Sequence, residues 1–400
     1  MKNFDPGKTQ VVGSDTRKIP AERLTASPNE RYHNRNVIGS GGMKIVLQTD
    51  DLNVGRSIAM AISKDASPEK QLRFLEEARI TASLEHPNIV PVHDIGRGRS
   101  GVPYFTMKLV RGLTLEQIID GLRKNDPGLQ KRFPLHARLE IFLKVCDAIA
   151  FAHSRGIIHL DLKPDNIQVG EYGEVLVLDW GIARRVGDVE PDIPASPKLS
   201  ASAGVTMDGV IRGTPDYMAP EQASGQNSRR GLWTDIYSLG AILYTLITLH
   251  TPYEGRSMEE ILQNVMTGGI TPLSLKDGRR VPAPLEFIVL RAMALSPERR
   301  YPSVQALRED IIAYQNGFAT VAENAGLSTL FLLWLKRNRI QIYVVFSIVL
   351  TIGIVLTFAA IHLYTRALSE KVFGRSEQAR IAAERAFSGL ESRIRRENLR

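Results

Sequence analysis

Residues 1–30 carry no apolar periodicity; they are polar, rich in Pro, Asp, Ser and Lys, and read as a disordered arm. From residue 37 to about residue 109 the spacing of apolar positions is strand-like. One helical run interrupts it at 68–84, with Phe74, Ala78 and Leu84 on a single apolar stripe. From about residue 113 the period becomes helical and predicts helices over 115–122, 134–154, 233–248, 258–265, 284–294 and 304–314. Pro134 suits a first helical turn, and Gly156 ends that helix. Two stretches break the pattern. One is the polar insert 123–132; the other is 187–209, whose Gly, Pro and Ser content marks a long loop. The order gives an α+β chain in which a small β-rich lobe precedes a larger helical lobe, together covering 31–315, with a linker at 316–339.

Residues 340–365 then run for 26 positions without Asp, Glu, Lys or Arg. As a helix, their central 20 residues would be about 30 Å long, the thickness of a hydrocarbon core. Tyr343 and Tyr364 stand where interfacial anchors belong, so one transmembrane helix is expected. Basic residues flank both ends (Lys336, Arg337 and Arg339 before; Arg366, Lys371, Arg375 and Arg380 after), so charge alone does not orient it. In the tail, 366–400, Leu368, Val372, Ala379, Ala383, Ala386, Leu390 and Ile394 recur at helical spacings. That stripe fits either a coiled coil pairing two copies of the chain or a solvated helix continuing from the membrane. The N-terminus lacks the apolar stretch of a signal peptide.

Composition changes this picture little: 43% hydrophobic and 24% charged residues are ordinary for a folded chain. The net charge of +8 is dispersed, and no base-reading motif accompanies it, so no nucleic-acid partner is expected. A phosphate-handling site or an anionic membrane surface accounts for the excess. The single cysteine, Cys146, excludes an intrachain disulfide and falls in an apolar run as a core residue.

Candidate chemistry centres on 157–169, IIHLDLKPDNIQV. This segment resembles the H-R-D-L-K-x-x-N catalytic loop of the eukaryotic-like (Hanks-type) serine/threonine protein kinases of bacteria. It matches at His159, Asp161, Leu162, Lys163 and Asn166, with Leu160 in place of Arg. Asp179-Trp180-Gly181 corresponds to that family's D-F-G, the run 213–221 (GTPDYMAPE) to its segment ending in A-P-E, Asp235 to the aspartate bracing the loop, and Arg300 to the partner of Glu221. The resemblance covers roughly 32–314 and implies a bilobed protein kinase-like fold that binds ATP with magnesium, or manganese in its place, and acts on protein substrates. It implies Asp161 as the base that accepts the substrate hydroxyl proton, Lys163 as a stabiliser of the transferring phosphoryl group, and Asn166 and Asp179 as metal ligands. Chemistry that consumes ATP, with no export signal, puts the kinase domain in the cytoplasm of a single-pass membrane protein.

The small lobe departs from the family. Glu77 matches the helix glutamate, while Met107 matches the gatekeeper, followed by a hinge at 108–110 that includes Leu109. By the same resemblance Val46 and Ala59 face adenine. The glycine loop reads GSGGMKIV at 39–46, keeping Gly39 and Gly41 but placing Lys44 at the third glycine, and the V-A-I-K lysine is replaced by Ala61. The chain is then either a pseudokinase acting as a membrane-tethered scaffold, or an enzyme in which Lys44 supplies the missing charge, an arrangement similar to the with-no-lysine kinases. Side chains alternate along a strand, so Lys44 shares the face of Val46, and Ala61 that of Ala59. Lys64, three residues past Ala61, points the other way. The intact set Glu77, Asp161, Lys163, Asn166 and Asp179 favours an active enzyme.

Overall fold

The computed structural model describes residues 31–98, 100–188, 215–276, 278 and 280–397. The expected arm at 1–30 and loop residues 189–209 lie outside these, as do Gly213 and Thr214. Two compact units divide the chain, residues 1–325 and 326–400.

The first unit opens with β1 (Tyr32–Ser40), β2 (Lys44–Asp51) and β3 (Arg56–Ser63), then α1 (Pro68–Ser83), β4 (Val92–Arg97) and β5 (Pro103–Lys108). The strands form one antiparallel sheet in the order β1-β2-β3-β5-β4. Helix α1 starts where Ser67 accepts a hydrogen bond from the Lys70 amide and Pro68 fills the first turn. Its buried face carries Phe74, Glu77 and Ala78. Phe74 and Ala78 join Ala61 and Phe105 in a small core, with the Phe74 and Phe105 rings 5.1 Å apart.

The helical lobe follows: β6 (Gly112–Thr114), α2 (Leu115–Arg123), α3 (Pro127–Arg132), α4 (Leu135–Ser154), β7 (Ile157–Ile158), β8 (Ile167–Gly170), β9 (Val175–Val177) and β10 (Arg184–Arg185). Then come α5 (Pro220–Ala223), α6 (Leu232–Thr248), α7 (Met258–Thr267), α8 (Ala283–Ala292) and α9 (Val304–Gln315). Helix α6 is buried on every side from Thr234 to Thr248, as a central helix without a polar face must be. It passes so close to α8 that a Cβ on Gly240 would stand 2.8 Å from the Ala292 methyl, which is why no larger residue fits there. Cys146 is fully buried on α4, as expected.

Several boundaries differ from the pattern-based expectation. Pro134 is the N-cap of α4 rather than a first-turn residue. The insert 123–132 holds the short helix α3, nucleated by the Asp126 side chain accepting from the Leu129 amide and by Pro127 at N1. In the second unit, the expected linker contains helix α10 (Leu327–Arg337), and α11 runs unbroken over Arg339–Glu397. Helix α11 is long and apolar enough to cross a membrane: its best 18-residue window has mean hydropathy 2.7, and none of it is buried.

Candidate active site

Lys44 opens β2, whose register against β3 pairs Lys44 with Ser63, Val46 with Ala61 and Gln48 with Ala59. Directly opposed residues of an antiparallel pair share a face, so Lys44, Val46, Ala59 and Ala61 lie on the same side of the sheet. The Lys44 ammonium donates to Oδ1 of Asp179 at 2.8 Å and, more closely, to Oε1 of Glu77. Lys64 does the opposite. Its ammonium donates to Oγ of Ser40 and the carbonyl of Gly41, fastening the end of β3 to the glycine loop.

Electrostatics couples these three groups. Burial opposes a charge on Lys44, but the carboxylates of Asp179 and Glu77 outweigh it and hold the ammonium above its ordinary pKa. The Lys44 charge in turn pulls Asp179 down to about 2 against the effect of burial. Glu77 is pushed up by burial and by the Asp179 charge, with Lys44 working against both. Gly181 leaves room for this cluster, because a Cβ there would stand 3.2 Å from Oδ1 of Asp179 and 3.3 Å from Oε2 of Glu77.

The loop after β7 is clamped from beneath. Asp235, fully buried on α6, accepts the amides of His159 at 2.8 Å and Leu160 at 2.9 Å and contacts Nε2 of His153 at 2.8 Å. Burial pushes the Asp235 carboxyl up, but its hydrogen bond with His153 and the nearby imidazoles bring it below its usual value. Leu160 takes φ +66°, costly for a side chain with a Cβ, and is held by Asp235 on one side and by Nε2 of Gln222 donating to its carbonyl on the other. His159 is buried, which lowers its pKa. Its Nδ1 accepts the Asp161 amide, so a neutral ring with its proton on Nε2, facing the Leu178 carbonyl, satisfies both contacts. Trp180 packs on this imidazole at 4.5 Å, the role an aromatic wedge should have.

Above the clamp, Lys163 donates to both carboxylate oxygens of Asp161, at 3.0 and 2.8 Å. Asn166 spends its amide nitrogen on the Asp161 carbonyl at 2.8 Å and carboxylate at 3.0 Å, which leaves its amide oxygen as an acceptor. That oxygen and the Asp179 carboxylate, whose side chain keeps 41% exposure beside the partly buried Lys44, are the hard donors that magnesium or manganese takes. The residues therefore fit a metal-nucleotide.

The residues that the resemblance places around adenine gather too. Ala59 pairs with Met107 across β3 and β5, Gly39 pairs with Val46, the Gly41 amide donates to the Lys44 carbonyl, and Leu109 follows β5 directly. In the helical lobe, Arg300 forms a two-pronged pair with Glu221 at 2.8 and 2.9 Å, and Thr234 adds a hydroxyl at 2.9 Å. His153 and Gln222 were not legible as site residues in the sequence, because each acts on a partner more than 60 positions away.

A two-lobed fold with a carboxylate-lysine-asparagine loop facing a lysine-glutamate-aspartate cluster defines the protein kinase class. Residues 32–312 match the protein kinase domain family, and the chain belongs to it. It is similar to the serine/threonine-protein kinase PknD of Chlamydia pneumoniae, 39% identical over 298 residues that make up 72% of this chain and 31% of that protein. The kinases of the same name from Protochlamydia amoebophila and Chlamydia trachomatis serovar D are 39% identical over 291 residues (70% of this chain, 29% of the relative) and 34% identical over 302 residues (72% and 32%). The matched region spans about a third of the length of these relatives.

Proposed function

We propose that the chain is a membrane-anchored serine/threonine protein kinase that transfers the γ-phosphate of ATP to Ser or Thr hydroxyls of proteins, its own chain included. The observation that carries this reading is the reach of Lys44 to both Glu77 and Asp179, which supplies the cation that Ala61 lacks. Bound Mg-ATP would supply the phosphoryl group and a doubly charged ion to neutralise it. Gly39 and Gly41 cover the nucleotide, Val46, Ala59, Met107 and Leu109 line the adenine, and Lys44, oriented by Glu77, holds the phosphates. Asn166 and Asp179 hold the metal. Asp161 orients the substrate hydroxyl and accepts its proton, while Lys163 stabilises charge on the transferring group. A scaffold that had abandoned catalysis would have no need of this complete set.

Helix α11 supports a single-pass anchor with the kinase domain in the cytoplasm. In the tail, Leu368, Ala379 and Leu390, and likewise Val372, Ala383 and Ile394, recur every 11 residues. That period supports pairing with a second copy of α11 in a right-handed or nearly straight coil. The test of the proposed function is incubation of the purified chain with Mg-ATP, followed by phosphosite mapping. Wild type should label Ser and Thr, and Asp161→Asn should not; equal labelling by that variant would remove Asp161 from the mechanism.

A further inference from the structure

Helix α10 has no part in the proposed catalysis, yet four of its large apolar side chains are exposed. It spans 11 residues, too few to cross a bilayer. Leu330, Phe331, Leu332 and Trp334 are all exposed, between 44% and 63%. Leu330, Phe331 and Trp334 follow the i, i+1, i+4 spacing of one helix face, and the rings of Phe331 and Trp334 stack at 6.2 Å with planes 15° apart. Lys336 and Arg337 fill the last turn, and only Asn338 separates α10 from Arg339, the first residue of α11. A soluble surface would not hold so large an apolar face without a partner.

We propose that α10 is a second lipid contact, a helix lying in the headgroup region of the membrane that α11 crosses. Its aromatic face turns toward the acyl chains, and Lys336, Arg337 and Arg339 meet anionic phosphates. The inference rests on reading α11 as a membrane span. Two features select lipid over a protein partner. The helix is continuous with that span through a single residue, which keeps it at interfacial depth. Its basic end complements an anionic leaflet, and Trp with Phe on one face and Lys with Arg near the other end is the composition of interfacial helices.

The test uses the full chain reconstituted in vesicles of phosphatidylcholine and phosphatidylglycerol at about 70:30, with or without bromine on the acyl chains near the glycerol. Subtracting the emission of Trp334→Phe from that of the wild type isolates Trp334 among the three tryptophans. Alkaline extraction comes first: if the chain leaves the vesicles, the α11 span fails and α10 loses its basis with it. If the chain stays, the proposal expects blue-shifted Trp334 emission that brominated lipid quenches about twofold or more. Water-like emission quenched by acrylamide but not by bromine would overturn the lipid contact while leaving the anchor standing. Blue-shifted emission indifferent to bromine would overturn it in favour of burial against protein, including a second copy of the chain.

Discussion

The ammonium of Lys44 lies 2.8 Å from the carboxylate of Asp179, a residue 135 positions further along the chain. One comes from the glycine loop of the sheet and the other from the turn after β9, so the contact joins the two lobes at the point where phosphates and metal would meet. Ala61, where the family resemblance puts its lysine, is fully buried against Phe74, Ala78 and Phe105. The register sets the two positions close together on one face. Val46 faces Ala61 across the ladder, and Lys44 is one same-face step beyond it.

The pair of Glu221 and Arg300 is buried at both ends, with side-chain exposures of 4% and 0%. Arg300→Met strands a carboxylate in the core and should cost about 3–5 kcal/mol of stability, read as a lowered midpoint in urea. Adding Glu221→Gln should recover part of that loss, since it removes the unpaired charge.

Asp216 gives a pH dependence of definite sign. Burial, only partly offset by backbone and Thr251 hydrogen bonding, raises its carboxyl to about 6. The folded state thus holds a proton that the unfolded chain, with a pKa of about 3.9, releases earlier. The stabilisation is complete below about pH 4 and is lost as pH rises through about 6, up to about 3 kcal/mol in all. In Asp216→Asn this component of the thermal midpoint's pH profile should vanish, and the variant should be the more stable protein at pH 7.5.

Most of the fold was legible because local signals and burial agree. Ser67 and Pro68 start α1, apolar residues fall on every side of α6, and the loop motifs stand in family order. That Lys44 shares a face with Val46 and Ala61 was legible by strand alternation alone. What escaped depends on tertiary approach or on weak local signals. His153 and Gln222 matter only because α4 and α5 pass beneath the loop. Helix α3 is six residues long, too short for a period to show. The apolar run of α10, 330–335, is too short for a membrane span, so the sequence alone predicts only a linker there. No Pro interrupts 339–397, so α11 runs from the apolar stretch into the tail, as the continuing-helix alternative expects.

Leu160 predicts insensitivity to loop phosphorylation. The family's arginine at this position binds a phosphorylated activation segment, whereas Leu160 is buried and offers only its backbone, to Asp235 and Gln222. Ser196, Ser200, Ser202 and Thr206, outside the described residues, are the candidate acceptors. Replacing all four with Ala should change the rate less than about tenfold, because no guanidinium waits at Leu160 for the phosphate. A hundredfold loss would show that another cation serves the segment.

The most direct measurement of the central claim is the kcat/KM for ATP of Lys44→Ala beside the wild type, with circular dichroism to show that both are folded. If Lys44 is the phosphate-holding cation, the variant loses about 2–4 kcal/mol of transition-state stabilisation, a fall of roughly 30- to 1,000-fold. The double variant Lys44→Gly with Ala61→Lys should regain part of it, limited by the crowding that Phe74 and Phe105 impose on a long side chain at 61. A folded Lys44→Ala with undiminished kcat/KM would contradict the account, because the contact with Glu77 and Asp179 would then have no part in phosphoryl transfer.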